Sequence, residues 1–451
     1  MKHHTLIAWC AGLALCALPL SAQETEFSGS LTAQAGVGLP NTHDNKGDFL
    51  LGQTLFDGVL KSYLGESMVF VNAQLLYDAL GAQSANGPSA FVSDNGIFAL
   101  RLREAYMDWK GERFALRIGR QVAAWGKADE LQIADILCPQ DESSIVGSDY
   151  SESRLGIDAV RLSFLTDSAQ VDAYWIPFFT PSPLPLATGN PLRPYMFPES
   201  AEGYELWNWF DFDDTPEKKL SNSEYAARAS LYTSVADLSL YGFYGWDDTP
   251  FMSYTGDWNE DGDDFDCIII GGEYKRMSMV GADAAIPAGD FVIRLEGAFF
   301  PNRHIQTSAE SQLAAQFMGE SAVSSKKKHQ LVALAGFDWT PAGGWTITAQ
   351  YAGDVICNYD DDLDRKQYEH QATLSIEKTL MGEDLTLSVS GALDLRDFSS
   401  TSELEADYKL SDAITLSAIA DFFLEGPDDK KGMYGDYHDL TCVTVKGKIS
   451  F

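Results

Sequence analysis

The last ten residues of the chain, 442–451, alternate between apolar and polar side chains and end on an aromatic residue. One face carries Val443, Val445, Gly447, Ile449 and Phe451, and the other Thr444, Lys446, Lys448 and Ser450. A period of two is that of a β-strand, and in a membrane barrel alternate side chains face lipid and lumen. The edge strand of a soluble sheet has the same pattern, so the rest of the chain must decide between them.

Period-two runs recur along the whole chain and predict eighteen strands, with sixteen as the alternative count. Four of the clearest cover residues 69–77, 331–340, 345–352 and 385–394. The predicted strands begin near residues 27, 49, 67, 97, 113, 156, 169, 222, 236, 267, 289, 328, 344, 367, 384, 400, 413 and 439. Most are long enough to cross a bilayer when tilted, which takes about 9–11 residues.

The connections between these strands alternate in length. Short turns such as Gly65-Glu66-Ser67 and Pro341-Ala342-Gly343-Gly344 are separated by long polar or aromatic loops. Outer-membrane barrels have short periplasmic turns, long extracellular loops and an even strand count. The predicted fold is therefore all-β, a transmembrane antiparallel β-barrel in the cell outer membrane that contacts the outer-membrane lipids.

Residues 1–22 are predicted to be a signal peptide, because Lys2 precedes an apolar run that ends in small residues. No later stretch approaches the roughly 18 apolar residues of a spanning helix. No linker or break in composition divides the rest, so residues 23–451 are predicted to form one barrel domain.

The net charge of −34 excludes nucleic acid as a partner, because binding phosphates requires a surplus of Lys and Arg. Acidic loops at the surface account for this charge. Four cysteines follow the predicted signal peptide, Cys138, Cys267, Cys357 and Cys442. They permit up to two disulfides, whose pairing the sequence cannot rank, and free buried thiols are the alternative.

The densest motif lies in residues 100–126, which contain Gly119-Arg120-Gln121 and Trp125-Gly126 before an acidic loop. This pattern resembles the G-R-Q and W-G pattern of substrate-specific and alginate-export-type porins. The terminal Phe451 likewise resembles the C-terminal signal of bacterial outer-membrane barrels, which implies the barrel-assembly machinery as a partner. The resemblance implies a porin-like channel for small solutes, and it is compatible with a homo-oligomer.

Strand parity directs a set of arginines toward the lumen. The predicted pore-lining residues are Arg101, Arg103, Arg117, Arg161, Arg228 and Arg294. Guanidinium groups bind carboxylates and phosphates through a fixed fork, so a basic ladder would favour anions. The alternative is that these arginines pair with Glu104, Asp108, Asp158 and Glu296 in the wall. Parity is ambiguous on the strand of Arg101 and Arg103 unless a bulge intervenes.

Two loops are long enough to affect the lumen. The segment 127–156 carries charges of both signs and either folds inward as a constriction or points outward. The segment 180–221 contains seven prolines, which exclude a continuous helix. It is predicted to be a lid or plug, with an exposed surface loop as the alternative.

The acidic run 257–263 supplies a candidate calcium site. Asp257, Asn259, Asp261 and Asp263 match the first oxygen positions of a calcium loop, with Gly262 at the sixth. The glutamate of position twelve is missing, because Ile268 stands there, so a solvated acidic loop is the alternative. No other cofactor is predicted.

No catalytic motif is present: the chain lacks G-x-S-x-G, C-x-x-C and H-E-x-x-H, and no enzymatic activity is predicted. The sequence favours a passive diffusion channel for small hydrophilic, anionic solutes. The alternatives are a surface-exposed barrel whose acidic loops act as an adhesin or receptor, and a transporter of fatty acids or other hydrophobic compounds.

Overall fold

The computed structural model describes residues 24–39, 46–83, 89–129, 131–145, 150–197, 200–201, 204–208, 215–262 and 264–451. The predicted signal peptide lies outside these residues. The first eight strands are β1 (Glu24–Gly38), β2 (Phe49–Leu64), β3 (Ser67–Asp78), β4 (Ser89–Val92), β5 (Phe98–Lys110), β6 (Phe114–Gln121), β7 (Ile157–Leu165) and β8 (Ala169–Ile176). The next eight are β9 (Ser200–Ala201), β10 (Tyr204–Asn208), β11 (Glu224–Tyr232), β12 (Asp237–Trp246), β13 (Phe251–Trp258), β14 (Phe265–Glu273), β15 (Arg276–Ala288) and β16 (Phe291–Gln306). The last seven are β17 (Ser325–Trp339), β18 (Trp345–Cys357), β19 (Tyr368–Leu380), β20 (Leu385–Asp394), β21 (Ser400–Ser411), β22 (Ile414–Leu424) and β23 (Cys442–Ser450).

Helices are few and short. The α-helices are α1 (Tyr150–Ser153), α2 (Arg193–Met196) and α3 (Ala309–Phe317), and the 3₁₀ turns are Leu220–Asn222, Met381–Glu383, Pro427–Asp429 and Gly435–Leu440. None of the helices in the described part of the chain is long and apolar enough to cross a membrane.

Eighteen of the strands form a closed antiparallel barrel, because β1 pairs with β2 on one side and with β23 on the other. The predicted count of eighteen is confirmed. Closure explains the C-terminal aromatic residue: Phe451 and Gly29 exchange two backbone hydrogen bonds of 2.9 Å, and the Phe451 ring lies 6.0 Å from that of Phe27. A Cβ at position 29 would lie 2.6 Å from the backbone carbonyl oxygen of Asp57 on β2, so the pairing of β1 at this point requires glycine.

The outer surface of the barrel is apolar and carries exposed aromatic residues near both ends. At the short-turn end these are Phe27, Trp109, Phe114, Phe164, Phe291 and Trp345, and at the long-loop end Tyr77, Phe98, Trp175, Tyr225, Tyr244, Tyr351 and Tyr368. Two aromatic girdles around an apolar band are the pattern of a barrel that spans a bilayer.

Strand β5 contains the β-bulge that its parity required. Asn72 on β3 is opposite Glu104, whereas the next residue, Ala73, is opposite Leu102, so Arg103 is the extra residue. The bulge reverses the alternation: Leu100 before it is exposed to the outside, and Tyr106 after it is buried. Once the bulge is placed at Arg103, the alternation of residues on each side of it predicts which side chains of β5 face outward and which face the lumen.

The predicted tenth barrel strand, near residue 267, is wrong. Residues 265–273 form β14, which pairs with β13 and β10 in a separate sheet completed by β9. The barrel strand begins at Arg276 instead, in β15. The other predicted starts lie within about three residues of the observed ones, within the usual uncertainty of strand boundaries.

The free edge of the separate sheet is covered by glutamine side chains. Gln306 donates to the carbonyl oxygen of Met252 at 2.8 Å and accepts from its N–H at 2.7 Å. On α3, Gln312 accepts from the N–H of Tyr254 and donates to the carbonyl oxygen of Met252. Gln316 accepts from the N–H of Gly256 and donates to the carbonyl oxygen of Tyr254. Side-chain amides thus take the place of a neighbouring strand and protect this edge from pairing with another chain.

Candidate functional site: the lumen and its loops

Three of the predicted lumen arginines lie side by side on the inner face of the wall. Arg117 on β6 is directly opposite Arg161 on β7, and Arg228 on β11 is opposite Asp172 on β8. Arg117 forms an ion pair of 3.0 Å with Asp108, and Arg228 one of 3.3 Å with Asp172. We call these three arginines the arginine row. Its three Nε–H groups make no hydrogen bond to any part of the chain that the structure describes.

The other predicted arginines are bound to loops. Arg101 donates to Gln83 at 2.7 Å and lies 3.2 Å from Asp141. Arg103, the bulge residue, lines a small recess together with Arg101. Arg294 on β16 forms an ion pair with Asp338 of 2.5 Å and donates to a loop carbonyl oxygen, so the six arginines do not form one continuous ladder.

The alternative pairing predicted for these arginines is found in part. Asp108 pairs with Arg117, and Asp158 pairs at 2.9 Å with Arg120 of the Gly-Arg-Gln motif, which is not among the predicted pore-lining arginines. Glu104 accepts the backbone N–H of Val122 at 2.8 Å. Glu296 likewise accepts the backbone N–H of Lys127. Glu104 and Glu296 therefore accept hydrogen bonds from the chain that follows β6, and neither forms the predicted pair with an arginine of the wall.

The segment that follows β6 lies inside the barrel, as the constriction prediction expected. We call residues 122–145 the inner loop, described except for residue 130. Its buried side chains pack against the inner faces of strands β7, β8, β12 and β15–β18. The middle of the inner loop is fixed at two points, because Asp129 and Gln350 exchange hydrogen bonds of 2.9 and 2.8 Å, and Asp135 binds Arg154 at 2.5 Å.

The Trp-Gly motif forms the turn that directs the inner loop into the lumen. The Trp125 ring packs between Tyr241 and Tyr174, with ring centroids 5.0 and 6.0 Å away. Gly126 has a φ of +83° and donates to the Tyr241 hydroxyl at 3.2 Å. That hydroxyl donates in turn to Asp283, so one short motif is held by two strands.

The proline-rich segment lies across the long-loop end of the barrel. We call its first part, residues 180–197, the lid. Asn190 donates to the carbonyl oxygens of Ser143 at 2.7 Å and of Ala82 at 3.3 Å, and its own oxygen accepts from Leu192 at 2.9 Å. Leu192 then packs in a buried cluster with residues of β2, β22 and β23, among them Cys442. The prediction of a lid or plug therefore agrees with its position.

A cavity of about 310 Å³ lies between the inner loop, the β12–β13 loop and the wall. Its charged lining consists of Glu142, Asp247, Asp248, Asp354, Glu369, Arg303 and Arg365. Arg303 binds both oxygens of Asp247, at 2.9 and 3.1 Å. Burial, with Asp247 and Asp141 nearby, raises the pKa of Glu142 to about 7. Burial and three neighbouring carboxylates raise the pKa of Asp248 well above its ordinary value.

The predicted calcium ligands do not converge in the described residues. Asp257 lies in β13 opposite Cys267, and the Asn259 side chain accepts from the N–H of Gly262 at 2.7 Å to close a turn. Asp261 lies in that turn, and Asp263 lies outside the described residues. No group of three His, Cys, Asp or Glu side chains in the described part of the chain is placed to hold a metal ion. Cys138, Cys267, Cys357 and Cys442 form no disulfide in the part of the chain that the structure describes.

Sequence reasoning missed the residues that hold the inner loop, namely Tyr241, Asp283 and Glu296 as a loop anchor. The available signal was parity: Asp283 and Glu296 lie on inner faces of β15 and β16 and are directly opposite each other. Two adjacent carboxylates without a basic residue opposite them must accept hydrogen bonds from other groups. For Glu296 these donors are backbone N–H groups of the inner loop.

A family model described as "Protein of unknown function (DUF1302)" matches residues 23–426. Comparison with curated proteins finds no match. Among solved structures, the chain is similar to Acinetobacter baumannii OccAB1, with a TM-score of 0.52, 10% identity and coverage of 96% of this chain and 97% of that one. For Acinetobacter baumannii OccAB3 the TM-score is 0.51 at 10% identity, with coverage of 95% and 99%. For Pseudomonas aeruginosa OccK2 (OpdF), solved in complex with glucuronate, it is 0.51 at 10% identity, with coverage of 95% and 98%. At this identity the likeness shows a shared outer-membrane barrel fold.

Proposed function

Since the chain belongs to the DUF1302 family, whose description names no activity, we propose from its lumen that it is an outer-membrane channel for passive diffusion of small hydrophilic solutes with a preference for anions. The observation that carries the proposal is the position of the arginine row. Tyr174, which holds Trp125 of the inner loop, is directly opposite Arg161, and Tyr241, which also holds it, is opposite Arg228. A solute that passes the inner loop therefore meets guanidinium groups.

Arg161 is the one member of the arginine row that forms no ion pair in the described residues. Asp108 pairs with Arg117 and Asp172 pairs with Arg228, and neither carboxylate forms an ion pair with Arg161. Guanidinium groups bind carboxylates in bidentate geometry, and they raise the local concentration of anions in a narrow passage. A small carboxylate is the class of solute that this row fits.

Arg161 gives the sharpest test, because Arg161→Gln removes a positive charge without leaving a partner carboxylate behind. The assay is the reversal potential of the refolded barrel in a planar bilayer under a potassium chloride gradient. We expect the native channel to prefer chloride, Arg161→Gln to weaken that preference and Arg161→Glu to reverse it. The control is Arg113→Ala, which removes an exposed arginine at the β5–β6 turn.

Two results would count against the proposal. A folded native barrel without conductance would refute the channel. A conducting barrel that prefers cations, or one in which Arg161→Glu leaves the reversal potential unchanged, would refute the role of the arginine row while the channel stands.

Calcium binding by Asp257, Asn259, Asp261 and Asp263 stays a prediction. It requires a rise in the melting temperature of the barrel on addition of calcium that Asp261→Asn abolishes. An equal response of the native protein and this variant would contradict it.

A further inference from the structure

Glu296 makes contacts that no other wall carboxylate makes in the described residues. It lies in the middle of β16 with its side chain toward the lumen and is only 5% exposed. One carboxylate oxygen accepts the N–H groups of Lys127 at 2.5 Å and Ala128 at 2.8 Å, and the other accepts that of Ala134 at 2.8 Å. The two ends of an eight-residue stretch of the inner loop, 127–134, thus converge on one side chain.

The residues around Glu296 support the same contact. Arg294, two positions earlier on the same face of β16, donates to the carbonyl oxygen of Lys127 at 2.9 Å. A Cβ at Gly126 would lie 2.5 Å from one Glu296 oxygen, so only glycine allows the loop to approach this closely. The positive φ of Gly126 also directs the following N–H groups toward the carboxylate.

The wall itself does not need this arrangement. Strands β15, β16 and β17 are joined by continuous backbone pairing on both sides of Glu296. A buried carboxylate without a cation is costly unless hydrogen bonds satisfy its oxygens, and here the donors come from the inner loop. The Glu296 carboxylate therefore holds the inner loop, and the N–H groups of the loop provide the hydrogen bonds that the buried carboxylate requires.

We propose that Glu296 is the positioning residue that holds the inner loop across the lumen and so sets the size limit of the channel. This inference rests on the proposed channel function. Loss of the carboxylate frees three N–H groups of the loop, which are satisfied by water once the loop leaves the wall. The passage then widens on the side of β15–β18.

The first experiment measures single-channel conductance, together with liposome swelling by saccharides of increasing size. For Glu296→Ala we expect a several-fold higher conductance and entry of larger saccharides, and for Glu296→Gln an intermediate effect, since one acceptor oxygen remains. The matched control is Glu405→Gln. It removes the same charge from the lumen wall, where Glu405 pairs with Lys446 at 3.1 Å and does not contact the inner loop.

A second variant reaches the same contact from the loop side. Gly126→Ala places a methyl group against Glu296, whereas Gly289→Ala introduces alanine at a similar positive φ, +67°, with nothing within 4 Å. Both substitutions strain the backbone, but only the first displaces the carboxylate. We expect only Gly126→Ala to widen the channel.

A readout independent of conductance separates this inference from the channel proposal. Cys138 in the inner loop is 1% exposed, and its sulfur accepts the N–H of Ala123 at 3.2 Å. Release of the loop should expose this thiol, so Glu296→Ala and Gly126→Ala should speed its alkylation, located by mass spectrometry, even if the barrel conducts nothing. Native rates of alkylation and an unchanged size limit in these folded variants would overturn the inference. So would an equal widening by Glu405→Gln, which would make the effect one of charge alone.

Discussion

Replacement of Asn190 by alanine is expected to release the lid from the mouth of the barrel. The side chain is 6% exposed and makes three hydrogen bonds, two from its amide nitrogen to Ser143 and Ala82 and one accepted from Leu192. These bonds join the lid both to itself and to the chain segments beneath it. Asn190 is therefore the polar contact on which the closed position depends most directly.

The size of the effect follows from these bonds. Only the bonds to Ser143 and Ala82 hold the lid to other segments, because the bond from Leu192 lies within the lid. A typical hydrogen bond contributes about 1 kcal/mol net, and the bond of 3.3 Å to Ala82 is the weaker of the two, so the loss is about 1–2 kcal/mol. Since every 1.4 kcal/mol changes a population tenfold, the open fraction of the lid should rise roughly 5- to 30-fold. That range holds while the open form remains the minor state.

Cys442 reports this opening without any added label. It is 0% exposed and belongs to the buried cluster that contains Leu192 of the lid. We expect a small neutral maleimide to alkylate Cys442 faster in Asn190→Ala by the factor given above, measured by mass spectrometry. Asn222→Ala is the control, because Asn222 makes a single side-chain bond within the same long loop, to Glu217 at 2.9 Å. Equal rates in Asn190→Ala and the native protein would refute the assignment of Asn190 as the lid contact.

Three further predictions concern the lumen, the lid and the closure of the barrel. Glu142 donates its backbone N–H to Pro183 of the lid, and because its pKa is raised to about 7 the closed state binds a proton more tightly than the open state. The closed lid should thus be most stable below about pH 4.5 and lose stability as the pH rises to 7. Alkylation of Cys442, corrected for the rise in thiolate fraction measured on a free cysteine, should accelerate over this range, and Glu142→Gln should remove this excess acceleration. Tyr241→Phe leaves Asp283 and the N–H of Gly126 without the hydroxyl. It should lower the free energy of unfolding by about 1–3 kcal/mol in urea titrations, whereas unchanged stability would argue against the Trp-Gly anchor. Phe451→Ala should reduce the folded, heat-modifiable fraction in outer membranes but not refolding in detergent, as expected if Phe451 is recognised by the assembly machinery. An equal loss in both would assign the residue to stability alone.

The wall of the barrel could be predicted because its signals are local. Alternation of apolar and polar residues fixes the two faces of each strand, and short turns with glycine fix the strand ends. Even the bulge at Arg103 was required by parity, since Leu100 and Asp108 could not otherwise face opposite sides. The error at residue 267 has the same origin: residues 265–273 contain an apolar run typical of a strand, and only their partners, β10 and β13, reveal that they belong to another sheet.

The site could be predicted only in part, because its contacts join distant parts of the chain. Lys127 and Glu296 are 169 residues apart, and Asp129 and Gln350 are 221 apart. The length of the loop and its Trp-Gly turn indicated that it could enter the lumen. Which wall residues would receive it depends on the order of strands around the barrel, and no local pattern encodes that order.

The arginines show how this long-range arrangement decides function. Parity correctly places Arg117, Arg228 and Arg294 on the inner face of the wall, yet an inner face is not the same as a surface that solutes meet. Arg294 is occupied by the inner loop, whereas Arg161 and Arg228 of the arginine row are opposite Tyr174 and Tyr241, the two residues against which the tryptophan of that loop packs. In the proposed channel, the position of the inner loop selects which guanidiniums line the remaining passage. A shift of the loop, as expected for Glu296→Ala, should for this reason change the ion preference of the channel together with its width.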